Sequence, residues 1–172
     1  MKRALIILTI CAGALGGCSL RPLYAGGGRG AIAQTLRSVA VAPIPGRAGW
    51  LVRGALVSRL ANDGNAPRYR LEVELDDRIT GFGIRLDDAV TRERRTLRAR
   101  YRLVDAQLGT VLLDATAGSD AGVDVVGSEY ATVAAEQTAL ERLSNEIADQ
   151  IVSRVALFAT RTPTSAPSSA PQ

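Results

Sequence analysis

The feature that most constrains the fold is a strict alternation of apolar and charged residues in the middle of the chain. Over residues 69–76 every second residue is apolar, and the residues between them are charged. The pattern returns within residues 90–104, where Leu97, Ala99, Tyr101 and Leu103 alternate with arginine. Successive side chains of a β-strand point to opposite faces of the sheet, so the alternation predicts long strands with one buried and one wet face. Residues 110–126 are the predicted third long strand.

Short polar or glycine-containing segments separate these runs and predict how they connect. Asp87-Asp88 is the predicted turn between the first and second long strands, and residues 105–109 form the next turn. The three strands would therefore form an antiparallel meander. Gly81 and Gly83 predict a β-bulge in the continuation of the first long strand. Strands of about 15 residues, each rising about 3.4 Å, would extend to about 50 Å.

Two segments have helical rather than strand periodicity. Residues 50–62 carry apolar side chains three or four positions apart, and they follow a short β-rich run at residues 38–44. From the predicted N-cap Ser128, with Glu129 in the first turn, a second helical pattern continues to about Ala159. The resulting order β-α-β-β-β-α predicts an α+β fold, with two helices packed on one face of a four-stranded, mostly antiparallel sheet. Part of the sheet should project beyond the first helix, which spans only about 20 Å.

The residue types exclude most catalytic and metal chemistry. The chain of 172 residues has no histidine, and its two cysteines, Cys11 and Cys18, both lie near the N-terminus. Ser-His and Cys-His nucleophile pairs and the usual zinc-ligand sets are thereby excluded. Acidic pairs such as Asp76-Asp77 lie at turns or on the wet face, where carboxylates are normally solvated. We predict a protein that is not an enzyme and that has no catalytic residues, cofactor or metal.

The charge balance argues against nucleic acid as a partner. The chain has 21 basic and 17 acidic residues, and removal of Lys2 and Arg3 with an export signal would leave it only weakly basic. Aromatic residues that could stack on bases are not interleaved with the basic ones, because Tyr101 falls on the opposite strand face.

The N-terminus has the organisation of an export signal. Lys2 and Arg3 precede the apolar residues 4–14, a stretch too short to span a bilayer. Leu15-Gly16-Gly17-Cys18 then resembles the bacterial lipobox, in which the cysteine thiol is diacylated and the chain is cleaved just before it. Residues 1–17 are therefore the predicted signal peptide. Cys18 would begin the mature chain and carry acyl chains such as palmitate, and two or three such chains anchor a protein almost permanently.

The mature chain divides into three predicted parts. Residues 18–37 are the lipidated N-terminus and a flexible, glycine-rich tether, residues 38–160 the α/β domain, and residues 161–172 a disordered Pro/Ser tail. Position 19 is serine rather than aspartate. By resemblance to the sorting rule of Gram-negative lipoproteins, the absence of aspartate there favours export to the outer membrane over retention in the inner membrane. The expected location is the periplasmic side of the outer membrane.

A row of arginines on the wet face of the second long strand is the strongest chemical feature of the mature chain. Its five members are Arg92, Arg94, Arg98, Arg100 and Arg102. They lie about 7 Å apart except where Thr96 interrupts, and each guanidinium can bind phosphate or carboxylate through two parallel hydrogen bonds. The row predicts a site for an anionic ligand. The alternative is that acidic residues on the neighbouring strand neutralise part of it: Glu72, Glu74 and Asp76.

The opening of the mature chain, Cys18-Ser19-Leu20-Arg21-Pro22-Leu23-Tyr24, carries a family resemblance. It resembles the start of the lipopolysaccharide-assembly lipoprotein LptE family in its alphaproteobacterial form. Residues 39–44 resemble that family's first strand, and the element order with a long last helix resembles its arrangement.

The resemblance implies a lipoprotein of the lipopolysaccharide (LPS) transport machinery. It would plug the lumen of the outer-membrane β-barrel LptD, assist that barrel's assembly, and bind LPS on its way to the cell surface. The arginine row comes from the strand pattern and not from a family motif, and part of it could meet barrel carboxylates instead. The alternative function is a lipoprotein activator of a periplasmic cell-wall synthase, since such regulators share a lipobox, a tether and a small α/β domain.

Overall fold

The computed structural model describes residues 30–62, 64, 66–84, 90–125 and 127–161. Seven elements follow one another along this part of the chain: α1 (Ala31–Arg37), β1 (Val39–Val41), α2 (Gly46–Leu60), β2 (Tyr69–Ile84), β3 (Val90–Asp105), β4 (Val111–Asp124) and α3 (Glu129–Arg161). The predicted α+β fold and the order β-α-β-β-β-α are confirmed, with one further helix in front. The signal peptide, the lipobox, the Asp87-Asp88 turn and the Pro/Ser tail lie outside the described residues.

The four strands form one mixed sheet in the order β1-β2-β3-β4. β1 is parallel to β2, and the two longer pairings are antiparallel. The register between β2 and β3 is constant from Tyr69–Asp105 to Ile84–Val90, so the β-bulge predicted at Gly81 and Gly83 is wrong. Gly83 instead adopts a left-handed backbone (φ 77°) without an inserted residue.

The local signals that end the elements behave as the sequence predicts. The Asp105 carboxylate accepts hydrogen bonds from the backbone N–H groups of Gln107 and Leu108, at 2.9 and 3.0 Å, and these bonds lower its pKa. They close the predicted turn between β3 and β4. At the start of α3, the N–H of Ala131 donates to Ser128 Oγ at 3.5 Å, which confirms the predicted N-cap.

The core lies between the sheet and the helices. Odd-numbered side chains of β2, β3 and β4 lie on the helix-facing side of the sheet, and the apolar stripe of α3 covers β3 and β4. Fully buried side chains that meet there include Leu71, Leu97, Leu103, Leu143, Ile147 and Ile151. α2 packs beside α3 and against β1 and β2. The alternating pattern of the sequence thus separates the strand side chains that face the core from those that face solvent.

The two helices cover unequal lengths of the sheet. α3 has 33 residues, or about 50 Å at about 1.5 Å per residue, which matches the strands. α2 has only 15 residues, and beyond its reach residues 76–83 of β2 are all exposed. Across the sheet, Ala121 and Val123 at the same end stay buried beneath α3. The predicted projection is confirmed for β2.

Helix α1 was not expected from the sequence, since residues 31–37 fall in the segment predicted to be tether. Leu36 is buried and Ile32 packs against the core, and the helix contacts α3 and β1. Seven residues make less than two turns, too few for a recognisable period, and so short a helix depends on tertiary packing. Among the described residues, none of the helices is both long and apolar enough to cross a membrane.

Two glycines of α2 predict opposite changes in stability. A Cβ on Gly49 would lie 2.5 Å from the Ile44 carbonyl oxygen, whereas a Cβ on Gly54 meets nothing within 4 Å. Gly49→Ala should lower the free energy of unfolding by about 1–3 kcal/mol through overpacking. Gly54→Ala should raise it by up to about 1 kcal/mol, because alanine favours helix. Urea unfolding checks both, and equal effects at the two positions would contradict the packing described.

Candidate functional site

The side of the sheet that faces away from α2 and α3 is the candidate site, and we call it the open face. It carries the even-numbered side chains of β2, β3 and β4. All five predicted arginines lie on it along β3, where Arg92, Arg94, Arg98 and Arg100 are exposed and Arg102 is half-buried. The structure therefore brings the predicted row together on one surface. The burial of Leu97, Tyr101 and Leu103 under the helices directs the arginines outward.

Carboxylates flank the row on both sides. The Nη2 atom of Arg100 lies 2.8 Å from Asp114 Oδ2, and Arg92 Nε lies 3.1 Å from Asp124 Oδ1. The hydrogen bond from Arg100 lowers the pKa of the Asp114 carboxyl. Both aspartates lie on β4, and neither was among the partners predicted from the sequence. The available signal was their even-numbered positions, which place them on the same face as the arginines.

On the other side, β2 supplies the partners that the sequence did suggest. Arg102 Nη2 lies 3.3 Å from Glu72 Oε2 and 3.6 Å from Glu74 Oε1. Arg94 is held more loosely, and by β4: its Nε lies 3.9 Å from Asp120 Oδ2. Such exposed pairs contribute little stability, but they occupy the guanidinium groups. An anionic ligand would have to compete with them.

Arg98 differs from the other four members of the row. It makes no ion pair within the part of the chain that the structure describes. The residues opposite it are Asp76 on β2 and Gly118 on β4. Asp76 is bound instead by Arg78, at 2.9 Å, and Gly118 has no side chain. Arg98 therefore keeps a free guanidinium beside a cavity of about 460 Å³, whose lining also includes Glu74, Thr116 and Gly118.

A second cavity lies on the open face at the projecting end of the sheet. It has a volume of about 420 Å³ and is lined by Thr80, Phe82, Arg94 and Thr96. The Arg94 guanidinium carbon lies 5.4 Å from the centre of the Phe82 ring, within cation–π range. The sequence analysis missed Phe82, although it continues the alternation of β2 on the polar side. Here a cation, an aromatic ring and two hydroxyl groups share one depression.

A separate polar cluster lies on the helix-facing side, where α3 crosses β3. The Arg95 guanidinium donates to Asp77 at 2.6 Å and to the Glu136 carbonyl oxygen at 3.0 Å. Glu93 Oε2 is buried and has no hydrogen-bond partner among the described residues. Burial raises the pKa of the Glu93 carboxyl, and the nearby charge of Glu136 raises it further. The cluster joins helix and sheet and is not part of the open face.

Comparison with known protein families assigns this architecture. The family model for lipopolysaccharide-assembly proteins, LptE, matches residues 36–155, from the end of α1 into the last third of α3. The chain belongs to the LptE family. The predicted family is thereby confirmed by the domain. Residues 18–24, where the resemblance begins, lie outside the match. No curated protein sequence gives a significant match.

Solved structures of lipoproteins share the LptE fold of this chain. A lipoprotein from Caulobacter crescentus CB15 is 24% identical, with a TM-score of 0.67 and coverage of 76% of this chain and 97% of that one. A minor lipoprotein from Acinetobacter baumannii is 17% identical, with a TM-score of 0.57 and coverage of 76% and 98%. Rare lipoprotein B from Shewanella oneidensis is 11% identical, with a TM-score of 0.56 and coverage of 72% and 96%. At these low sequence identities, the similarity shows that this chain and the three lipoproteins share a fold.

The Glu93 carboxyl predicts a specific pH dependence of stability. Its pKa in the folded protein lies above its ordinary value of 4.5. The stability it contributes is therefore complete below that ordinary value and is lost as the pH rises through the folded pKa. Glu93→Gln, which cannot ionise, should become increasingly more stable than wild type as the pH rises from acidic to neutral. Urea unfolding over that range measures the difference.

Asp149 provides a control of opposite sign. A hydrogen bond from Arg59 lowers the pKa of this carboxyl below 3.8, so its contribution is present above that value and lost as the pH falls through the folded pKa. Asp149→Asn should be less stable than wild type at neutral pH, and the difference should shrink in acid. Parallel pH profiles for the two variants would contradict at least one of the two assignments.

Proposed function

We propose that this LptE-family protein is a lipoprotein of the LPS transport machinery, anchored through Cys18 to the periplasmic side of the outer membrane. The observation that carries the proposal is the family match over residues 36–155. The lipobox sequence Leu15-Gly16-Gly17-Cys18 supports the anchor, and the similar solved structures include several lipoproteins. The role is one of binding and assembly, without a reaction and without a cofactor.

The proposed protein partner is an LptD-type β-barrel, which the chain would plug and help to assemble. A plug in a wet lumen needs a fold whose outer surfaces are polar, and the open face has this character. Seven arginines and six acidic residues share it along β2, β3 and β4: Arg70, Arg78, Arg92, Arg94, Arg98, Arg100, Arg102, Glu72, Glu74, Asp76, Asp114, Asp120 and Asp124. Its loosely paired arginines could exchange their present partners for carboxylates of the barrel wall.

The proposed ligand of the open face is LPS, whose phosphate groups and acyl chains require both cations and apolar contacts. Arg98 is the guanidinium without an ion pair among the described residues of the row, and Arg94 lies beside the exposed ring of Phe82. Guanidinium groups bind phosphate through paired, charge-assisted hydrogen bonds. We assign the first contacts to Arg94 and Arg98. Arg92, Arg100 and Arg102 would join only if the ligand displaced their carboxylates.

Charge reversal on the open face tests the ligand assignment. Arg94→Glu/Arg98→Glu should weaken LPS binding by at least about tenfold, because each charged hydrogen bond contributes about 1.5–3 kcal/mol. Circular dichroism should stay unchanged, since both side chains are exposed. The matched control is Arg142→Glu/Arg154→Glu, which makes the same change of charge at two exposed positions of α3. Unchanged LPS affinity in the open-face variant, or an equal loss in the control, would contradict the assignment.

Replacement of the proposed lipidated cysteine tests the anchor. Cys18→Ser should move the protein from the membrane fraction to the periplasmic fraction, because the remaining chain would carry no acyl group. Intact mass should differ from that of the wild type by the lipid as well as by the substituted atom. A Cys18→Ser variant that stays membrane-bound, with a wild-type mass free of lipid, would contradict lipidation at this residue.

A further inference from the structure

The charges of the chain are distributed unequally between its two ends. All 17 acidic residues occur from Asp63 onward, so the first 62 residues contain none. The same segment of the mature chain contains six arginines: Arg21, Arg29, Arg37, Arg47, Arg53 and Arg59. α1, β1 and α2 therefore form a purely basic part of a protein whose remainder is acidic. Such asymmetry favours contact between this part and an anionic surface.

The outer surface of α2 combines this charge with exposed apolar area. Trp50 is 74% exposed and Val57, two turns further along, is 42% exposed. Arg47 and Arg53 lie three residues before and after Trp50, which places them about 60° to either side of it around the helix. Both are exposed. We call these four residues the α2 face: Arg47, Trp50, Arg53 and Val57.

The cations of the α2 face are available for a partner. Neither Arg47 nor Arg53 makes an ion pair within the described part of the chain. The third arginine of α2, Arg59, is held by Asp149 on α3 at 2.6 Å and is not part of the face. Glu141 of α3 lines the same groove between α2 and α3 as Trp50. An indole flanked by two guanidinium groups thus lies on a surface with the Glu141 carboxylate at its margin.

We propose that the α2 face binds the anionic phospholipid surface to which the chain is anchored. Tryptophan prefers the boundary between headgroups and acyl chains, and arginines beside it attract anionic headgroups. The inference uses the lipid anchor of the proposed function. Cys18 precedes Gly30 by 12 residues, a reach of at most about 40 Å, so the anchor can hold the domain against the bilayer. The contact belongs to the anchored chain before barrel binding, because a barrel lumen presents no lipid surface.

The fluorescence of Trp50 provides a direct test, because it is the single tryptophan of the chain. The mature chain carrying Cys18→Ser is titrated with vesicles of phosphatidylcholine alone or mixed with phosphatidylglycerol. Emission should shift to shorter wavelength, and brominated acyl chains should quench it, only with the anionic vesicles. Added salt should weaken the effect, since it screens exposed charges.

Neutralised variants locate the contact. Arg47→Gln/Arg53→Gln should weaken vesicle binding by about 30-fold, which corresponds to about 1 kcal/mol for each arginine near an anionic surface. The matched control, Arg142→Gln/Arg154→Gln, removes the same charge from two exposed positions of α3 and should bind as wild type does. Equal losses in both pairs would contradict a site on α2 and indicate attraction by net charge alone.

The remaining outcomes also decide the proposal. No spectral shift with anionic vesicles, or the same shift with phosphatidylcholine alone, would overturn it. A shift that requires the purified barrel in place of vesicles would assign the α2 face to an acidic protein surface and would equally overturn it. Because the assay contains neither the lipid anchor nor LPS, a negative result leaves the proposed function standing. Conversely, vesicle binding by the α2 face is expected even if Cys18 is not lipidated, because the assay uses a chain without the lipid.

Discussion

The burial of one amphipathic helix against one face of the sheet is the interaction on which the rest of the structure depends. Leu143, Ile147 and Ile151 of α3 are fully buried where the helix crosses β3 and β4. Because successive strand residues point to opposite sides, this packing fixes which half of β3 is core and which half is solvent. A slip of one residue would bury the arginines and expose Leu97 and Leu103. The open face is thus a consequence of the core.

Where the sequence carries a period of two or of about four residues over a long stretch, it predicted the fold correctly. β3 and α3 were found nearly to the residue, because their alternating and helical patterns extend over several turns or strand repeats. α1 was missed because seven residues with two apolar positions hold too little periodicity. The prediction of a bulge at Gly81 and Gly83 was wrong for a related reason. A glycine permits an irregular backbone without requiring one, and the pairing of β2 with β3 on both sides keeps the register.

The candidate site was predictable in its cations but only in part in their pairing, since Glu72 and Glu74 were expected as partners and the β4 aspartates were not. The row on β3 is visible from arginines at alternate positions, whereas its neutralisation depends on the registers of two neighbouring strands. Asp114 lies diagonally from Arg100, and Gly118 lies opposite Arg98. Only the register shows that Arg98 faces a residue without a side chain. A row of five equivalent arginines therefore becomes four engaged ones and a free one, beside cavities large enough for ligand groups.

The proposed function makes this chain the lipoprotein partner of an LPS-translocating β-barrel. The most direct measurement is purification of the tagged, full-length protein from detergent-solubilised outer membranes, with mass identification of partners present in stoichiometric amounts. We expect a large β-barrel of the LptD type at a one-to-one ratio. A cell-wall synthase in its place would support the activator function instead. Recovery of the protein without any stoichiometric barrel would contradict the proposed function.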